Sequence, residues 1–353
     1  MDLEQRISAF SRWGHTISAM LEEAESSTEL SGNPIHETIR RSHAVNRWFT
    51  PSNSLQALRG IADYLDGTRL QAWLNSYQGI AGGKDISYRV GLVMAGNIPA
   101  VGFHDLLCVL ASGNHAVCKL SSDDEVLIPF LTDILVRLEP GFKDQFSFVG
   151  KLDDVDAVIA TGSNNSARYF EYYFRHLPHI IRRNRNGVAV LSGAEGEEDL
   201  VRLGLDIFTY FGMGCRSISK LYVPSGYDFS LFFSAIERFS EVMQHNKYMN
   251  NYDYHRALFL LNNEAFLTNN FLILRQNPSI ASPVSVLHYE YYADRTEVER
   301  HLELEADKIQ CVVGEGYLPF GRAQAPGLSD YADRVDTMKF LSGLKSAGLK
   351  SGE

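Results

Sequence analysis

From Tyr88 onward, short apolar runs alternate with amphipathic segments of helix length, and this alternation limits the possible folds more than any other feature. Strand-like runs fall at 88–94, 115–119, 145–149, 156–160 and 187–191, with helix-like segments at 100–111, 123–138 and 164–175. Strands separated by helices join as right-handed crossovers, which build a parallel sheet covered on both faces. A second run of the same texture follows, with helices at 196–210, 229–247, 254–268 and 294–306 and strands at 218–223, 284–289 and 309–313. The chain has 353 residues, and at roughly 150 residues per domain that length accommodates about two domains. The break is expected near Leu191–Gly193, giving domains 1–191 and 192–325, with 326–353 returning to the first.

The first eighty residues read as helices instead. Apolar positions recur at three and four in ISAFSRWGHTISAML, and Thr50 stands as a cap before Pro51. Lys and Arg number 33 against 43 Asp and Glu, a net charge of −10. That balance argues against nucleic acid or an anionic membrane as partner, since either needs a basic face. The N-terminal residues carry no basic stretch followed by an apolar core, so no signal peptide is expected. The most apolar stretch, Val90–Gly113, contains Asn97, Pro99, His104 and Asp105, so no integral membrane segment is expected either. Four cysteines without paired spacing are no disulfide framework and point to a reduced, cytoplasmic protein.

Several motifs fall short. Gly79–Lys84 is one residue short of a phosphate-binding P-loop, and Asp85 stands where a Mg²⁺-binding hydroxyl belongs. No G-x-G-x-x-G follows a strand. His104, Cys108, His115 and Cys118 have the composition of a metal site, but the cysteines read as buried small hydrophobes and no metal is expected.

Three segments have the setting of a site. Gly96-Asn97-Ile98-Pro99 follows a strand, at the carboxyl edge where open α/β sheets bind ligands; a turn Asn before a helix-starting Pro fits it equally. Lys119-Leu-Ser-Ser122 and Gly162-Ser163 each follow a strand and precede a helix, as two adjacent helix N-termini able to hold the ribose and phosphates of a dinucleotide. Ser122 with Glu125 also has the form of a capping box, with Asp123, Asp124 and Glu125 facing solvent in the first helical turn. The third segment is Gly214-Cys215-Arg216-Ser217, a helix-to-strand turn. Flanking glycine leaves room for a carbonyl, and Arg216 favours the nucleophilic thiolate.

In this order, over about four-fifths of the chain, these segments resemble the aldehyde dehydrogenase fold, and within it the acyl-CoA reductase family that includes the reductase subunit of bacterial bioluminescence. The resemblance runs from Trp48-Phe49-Thr50-Pro51 to Pro319-Phe320-Gly321-Arg322. It implies two Rossmann-like parallel-sheet α/β domains with an N-terminal helical segment: a nucleotide-binding domain, then a catalytic cysteine domain. Cys215 would then be the acylated nucleophile and Asn97 the side-chain donor of the oxyanion hole. Lys119 would contact the adenosine ribose, with Gly162 and Ser163 beside the pyrophosphate. The family's hydrolytic relatives carry a general-base Glu on a strand a little over thirty residues before the nucleophile. Here the matching stretch, Arg182–Gly187, has no carboxylate. Their glutamate for the nicotinamide ribose also has no clear counterpart.

The resemblance therefore implies NAD(P)H-dependent reduction of a long-chain acyl-CoA to an aldehyde through a cysteine thioester. NADPH is expected in preference to NADH, because the position three after Lys119 is the neutral Ser122 rather than a Glu that would repel a 2′-phosphate. An acyl-phosphate reductase of the same fold, or a non-redox acyl acceptor served by an acyl-protein synthetase, are the alternative readings. A homo-oligomer is expected from the prevalence of closed assemblies.

Overall fold

The computed structural model describes residues 1–26, 32–77 and 87–347. The near-P-loop at Gly79–Lys84 lies outside them. The chain forms two compact units: Met1–Arg183 with Gly327–Glu353, and Asn184–Pro326.

In the first unit, α1 (Leu3–Ser26), α2 (Pro34–Val45), α3 (Pro51–Tyr64) and α4 (Gly67–Asn75) precede the sheet. Helix α1 buries Leu3, Ile7, Phe10, Trp13, Ile17, Leu21 and Ala24, a stripe at intervals of three and four. Thr50 caps α3 by accepting the Asn53 N–H, with Pro51 as the first helical residue. The sheet then alternates β1 (Arg89–Val93), α5 (Phe103–Ala111), β2 (His115–Lys119), α6 (Leu127–Leu138), β3 (Phe146–Phe148), β4 (Ala157–Thr161), α7 (Asn164–Phe174) and β5 (His179–Arg182). Its order is β3-β2-β1-β4-β5, all parallel. The direction of winding reverses between β1 and β4, where open sheets of this kind have their binding crevice.

The second unit contains β6 (Asn186–Val190), α8 (Glu197–Phe208), β7 (Ile218–Pro224), α9 (Ser230–Ile236), α10 (Asn246–Leu261), β8 (Leu267–Thr268), β9 (Ile273–Gln276), β10 (Val286–Tyr292), α11 (Arg295–Leu304) and β11 (Ile309–Gly314). The sheet order is β11-β6-β7-β10-β9-β8, parallel except for the short edge strand β8. Helix α12 (Thr337–Ala347) belongs to the first unit and buries Met338, Leu341 and Leu344 there.

The structure corrects the sequence reading in several places. The chain divides at Arg183/Asn184 rather than near Leu191, because 186–190 pairs with β7 and β11 of the second sheet. Strand β5 was not anticipated: only Ile180 and Ile181 are apolar in it, between His179 and Arg182. The stretch Arg182–Gly187 is therefore not one strand but the end of β5, a link and the start of β6. Arg182 is buried, paired with Asp105 and donating to Thr337 Oγ1 at 2.9 Å. The expected helices 229–247 and 254–268 are α9, a 3₁₀ run over Glu237–Gln244, and α10, which starts after its cap His245. Asn262 and Asn263 end α10, Asn263 with φ 53°, and β8 and β9 follow.

Cys108 and Cys118 are fully buried, which raises the Cys118 thiol to about 12 and Cys108 well above its ordinary value. His104 Nε2 meets the Leu328 carbonyl at 3.0 Å, and His115 contacts Asp144 O and Ser147 Oγ. Among the described residues no three His, Cys, Asp or Glu are grouped to hold a metal ion. None of the described helices is long and apolar enough to cross a membrane.

Candidate active site

In the first unit, the candidate residues other than the cysteine collect at the carboxyl edge of the sheet. Val93 at the end of β1 is in register with Lys119 at the end of β2, and the Met94 N–H donates to Lys119 O at 3.0 Å. The chain then turns through Gly96, exposed Asn97 and buried Pro99 into α5. A Cβ on Gly96 would lie 2.6 Å from Ser121 Oγ and 2.8 Å from Ser121 Cβ, so the loops after β1 and β2 can interlock only around a glycine.

What ties these two loops is Asp124. Its Oδ2 accepts the Ala100 N–H at 2.7 Å, beside the left-handed backbone of Ala100 (φ 52°). The carboxyl group is 4% exposed, and burial lifts it to about 7 although the Ala100 amide pulls it back. This overturns the solvent-facing reading of Asp124; Asp123 and Glu125 on either side are exposed. Nor does Ser122 form a capping box with Glu125. Helix α6 begins only at Leu127, after Val126, which supplies no side-chain cap, and Ser122 sits exposed in the preceding turn.

On the other side of β1, β4 ends at Thr161. Ser163 caps α7 by accepting the Ser166 N–H at 3.2 Å. A Cβ on Gly162 would stand 2.9 Å from Ser166 Cβ and 3.0 Å from Phe170 Cε2, so glycine keeps this backbone tight on the first turn of α7. Asn97, Lys119, Ser122, Gly162 and Ser163 thus follow three adjacent strands at one sheet edge, on both sides of the reversal in winding. With the first-turn amides of α7, this edge has the donor set that a dinucleotide's phosphates take.

In the second unit, α8 runs into a tight turn with Tyr210 and Phe211 both left-handed (φ 54° and 56°), followed by Gly212 at φ 75°. Each non-glycine residue so held costs roughly 1–2 kcal/mol, which the surroundings must offset. Burial of Tyr210 and a Phe211–His245 ring contact at 4.4 Å contribute. Residues Gly214–Ser217 then close a turn on itself. Ser217 N–H donates to Gly214 O at 3.0 Å, and Gly214 N–H donates to Ser217 Oγ at 3.2 Å. Cys215 and Arg216 occupy its two central positions. Cys215 is half-buried, whereas Cys108, Cys118 and Cys311 are buried. Beneath the turn, a Cβ on Gly187 of β6 would lie 2.6 Å from Arg216 O, and Cys311 Sγ approaches the same carbonyl at 3.7 Å.

The segment 319–325 belongs to this unit as well. Asp206 of α8, fully buried, accepts Gly321 N–H at 2.6 Å and Ala323 N–H at 2.9 Å. Burial raises its carboxyl to about 6, against the pull of those two amides. Gln324 Nε2 donates to Ser217 Oγ at 3.1 Å. Asp206 and Gln324 were not singled out from sequence; Asp124 was read as solvent-facing, and Ser217 stood in the cysteine motif with no role of its own. For Asp206 a signal was present: helical spacing puts it three residues after Leu203, on the flank of the buried 200/203/207 face.

Comparison of the sequence with family models and with curated proteins gives no match. The fold matches aldehyde dehydrogenases. The aldehyde dehydrogenase KauB from Pseudomonas aeruginosa is 14% identical with a TM-score of 0.64, over 89% of this chain and 72% of that one. Aldehyde dehydrogenase 21 from Physcomitrella patens, solved with the reaction product succinate, is 12% identical with a TM-score of 0.65, over 98% and 84%. The indole-3-acetaldehyde dehydrogenase AldA from P. syringae, a mutant in complex with NAD⁺, is 12% identical with a TM-score of 0.63, over 89% and 72%. At such identities the likeness establishes the fold.

Proposed function

We propose that the chain is an NAD(P)H-dependent acyl-CoA reductase that makes a fatty aldehyde through an acyl thioester on Cys215. The observation that supports this most is the contrast among the cysteines. Three are buried, while Cys215 is half-buried at the centre of a self-closed turn after a strained helix end. A nucleophile needs that access.

The Cys215 thiolate attacks the thioester carbonyl of acyl-CoA. The Cys215 N–H would donate to the resulting oxyanion, and the family resemblance assigns the side-chain donor to Asn97. Collapse expels the CoA thiolate and leaves the acyl group on Cys215 Sγ. A nicotinamide cofactor fits the residues of the first unit, and its dihydro form supplies a hydride when bound; aldehyde dehydrogenases of this fold solved with NAD⁺ support that choice. Gly162, Ser163 and the first turn of α7 would hold the pyrophosphate, with Lys119 and Ser122 at the adenosine ribose. Since neither of the last two is a carboxylate, NADPH is the preferred form. Release of the aldehyde returns the Cys215 thiolate. Strand β6 offers no carboxylate to activate water, so the thioester is reduced rather than hydrolysed.

The test is NAD(P)H oxidation with acyl-CoAs of increasing length and with an acyl phosphate, for wild type and Cys215→Ala. Oxidation with acyl-CoA that Cys215→Ala abolishes is the expected result. Turnover with acyl phosphate alone, acylation without oxidation, or an active Cys215→Ala would each overturn the proposal.

A further inference from the structure

We propose that Gln324 is a positioning residue for Cys215, acting through Ser217 from a loop that Asp206 holds in place. The proposal rests on the reading of Cys215 as the nucleophile. Four links form a closed ring around that residue. Helix α8 carries Asp206, whose two carboxylate oxygens hold the Gly321 and Ala323 amides. The loop so fixed presents Gln324, which donates to Ser217 Oγ. Ser217 Oγ accepts the Gly214 amide as well and closes the turn around Cys215. The chain then runs back through Gly212, Phe211 and Tyr210 into the same helix.

Each link is specific. Both acceptor sites of the Ser217 hydroxyl are occupied, by Gly214 N–H and Gln324 Nε2–H, so its rotation is fixed although the residue is 1% exposed. A hydroxyl held from one side only could turn away and release Gly214. Residues 319–325 lie outside any helix or strand, so the two bonds to Asp206 give the loop its place. Gly321, at φ 82°, lets it pass close to α8, where an added Cβ would lie 3.2 Å from Arg202 Cβ. The left-handed pair Tyr210–Phe211 is an arrangement that persists only where surrounding contacts over-determine it, and the ring supplies contacts on the far side of the turn.

The direct readout is the rate at which iodoacetamide alkylates Cys215, followed by intact mass and peptide mapping in the full chain, with Cys215→Ala as the blank. The variants are Gln324→Ala, Gln324→Met (similar volume, no donor), Ser217→Ala and the Gln324→Met/Ser217→Ala pair. Misplacing a reacting group by about an ångström costs up to about a hundredfold, so a change of about tenfold in alkylation rate is expected for either Gln324 variant. The same variants should lower kcat with acyl-CoA while leaving KM within about twofold. Gln324→Met/Ser217→Ala should be no slower than Ser217→Ala, because one acts through the other. Alkylation of Gln324→Met at the wild-type rate, or additive effects in the double variant, would overturn the proposal. Absence of any acyl adduct on wild-type protein would refute the reductase reading instead, and the alkylation cycle would still decide the role of Gln324.

Discussion

The Asn97 loop and the loop that reaches the Cys215 turn are both held by buried aspartates that accept backbone amides, yet the two regions are built differently. In the first unit the anchor, Asp124, comes from the loop after the neighbouring strand, and the loop it holds lies at the carboxyl edge of a parallel sheet. Any open sheet that reverses its winding offers such an edge, so local interlocking around Gly96 suffices to shape it. In the second unit the anchor, Asp206, reaches a loop 115 residues further on, and the Cys215 turn follows a helix end with two left-handed residues. The first region is tied by contacts local in sequence; the turn at Cys215 is tied to a loop more than a hundred residues away.

The largest effect should come from the exposed residue of the first region. Asn97→Ala is expected to lower kcat by about 10²–10³ with little change in KM, as loss of an oxyanion donor does. Steady-state kinetics with acyl-CoA decide it, and turnover within a few-fold of wild type would make Asn97 a turn residue only.

The two close-packed glycines separate the regions more sharply. Gly187→Ala puts a methyl 2.6 Å from the backbone oxygen of Arg216, so it must displace the Cys215 turn. Gly96→Ala presses on Ser121 in the other unit. Each should lose about 1–3 kcal/mol of stability by overpacking. Only Gly187→Ala should also change the iodoacetamide reactivity of Cys215. Equal reactivity in the two variants would erase the distinction.

Asp124 titrates as a marker of the first region. Its folded carboxyl is raised to about 7, so the stability it contributes is full below its ordinary value near 4. That stability is lost as pH rises through about 7. Asp124→Asn keeps an acceptor for Ala100 without the charge. Its Tm relative to wild type should therefore rise between pH 5 and pH 8, as read by thermal melts; a flat difference contradicts the burial argument.

The smallest effect concerns the cofactor. Ser122 is exposed in the turn after β2, and Ser122→Glu should shift the ratio of kcat/KM for NADPH over NADH by about tenfold toward NADH, the order expected for one charged contact. No shift would take Ser122 out of the cofactor site.

Much of this architecture is legible in the sequence. The alternation of strand-like and helix-like segments gives both parallel sheets, and glycine, asparagine and serine after strand ends mark the loops of the first unit. Strand β5 was missed because pairing with β4, not its own apolar content, makes it a strand. Asp124 was misread because three consecutive acids look like a solvent-facing helical turn, and only the fold reveals that the middle one is covered. Leu205 is exposed while its neighbour Asp206 is buried; helical spacing sets Asp206 on the flank of the buried face, but its charge hides that from a purely hydrophobic pattern. The bonds from Asp206 and Gln324 span more than a hundred residues and become visible only once the chain is folded.

The central claim is that Cys215 takes an acyl group from CoA and gives it up to reduction rather than to water. Wild-type protein mixed with acyl-CoA in the absence of cofactor should gain the mass of one acyl group, mapped to the peptide containing Cys215 and stable in buffer. NADPH should then remove that mass and release aldehyde. An adduct on another residue, or one that buffer hydrolyses as fast as NADPH clears it, would contradict the account.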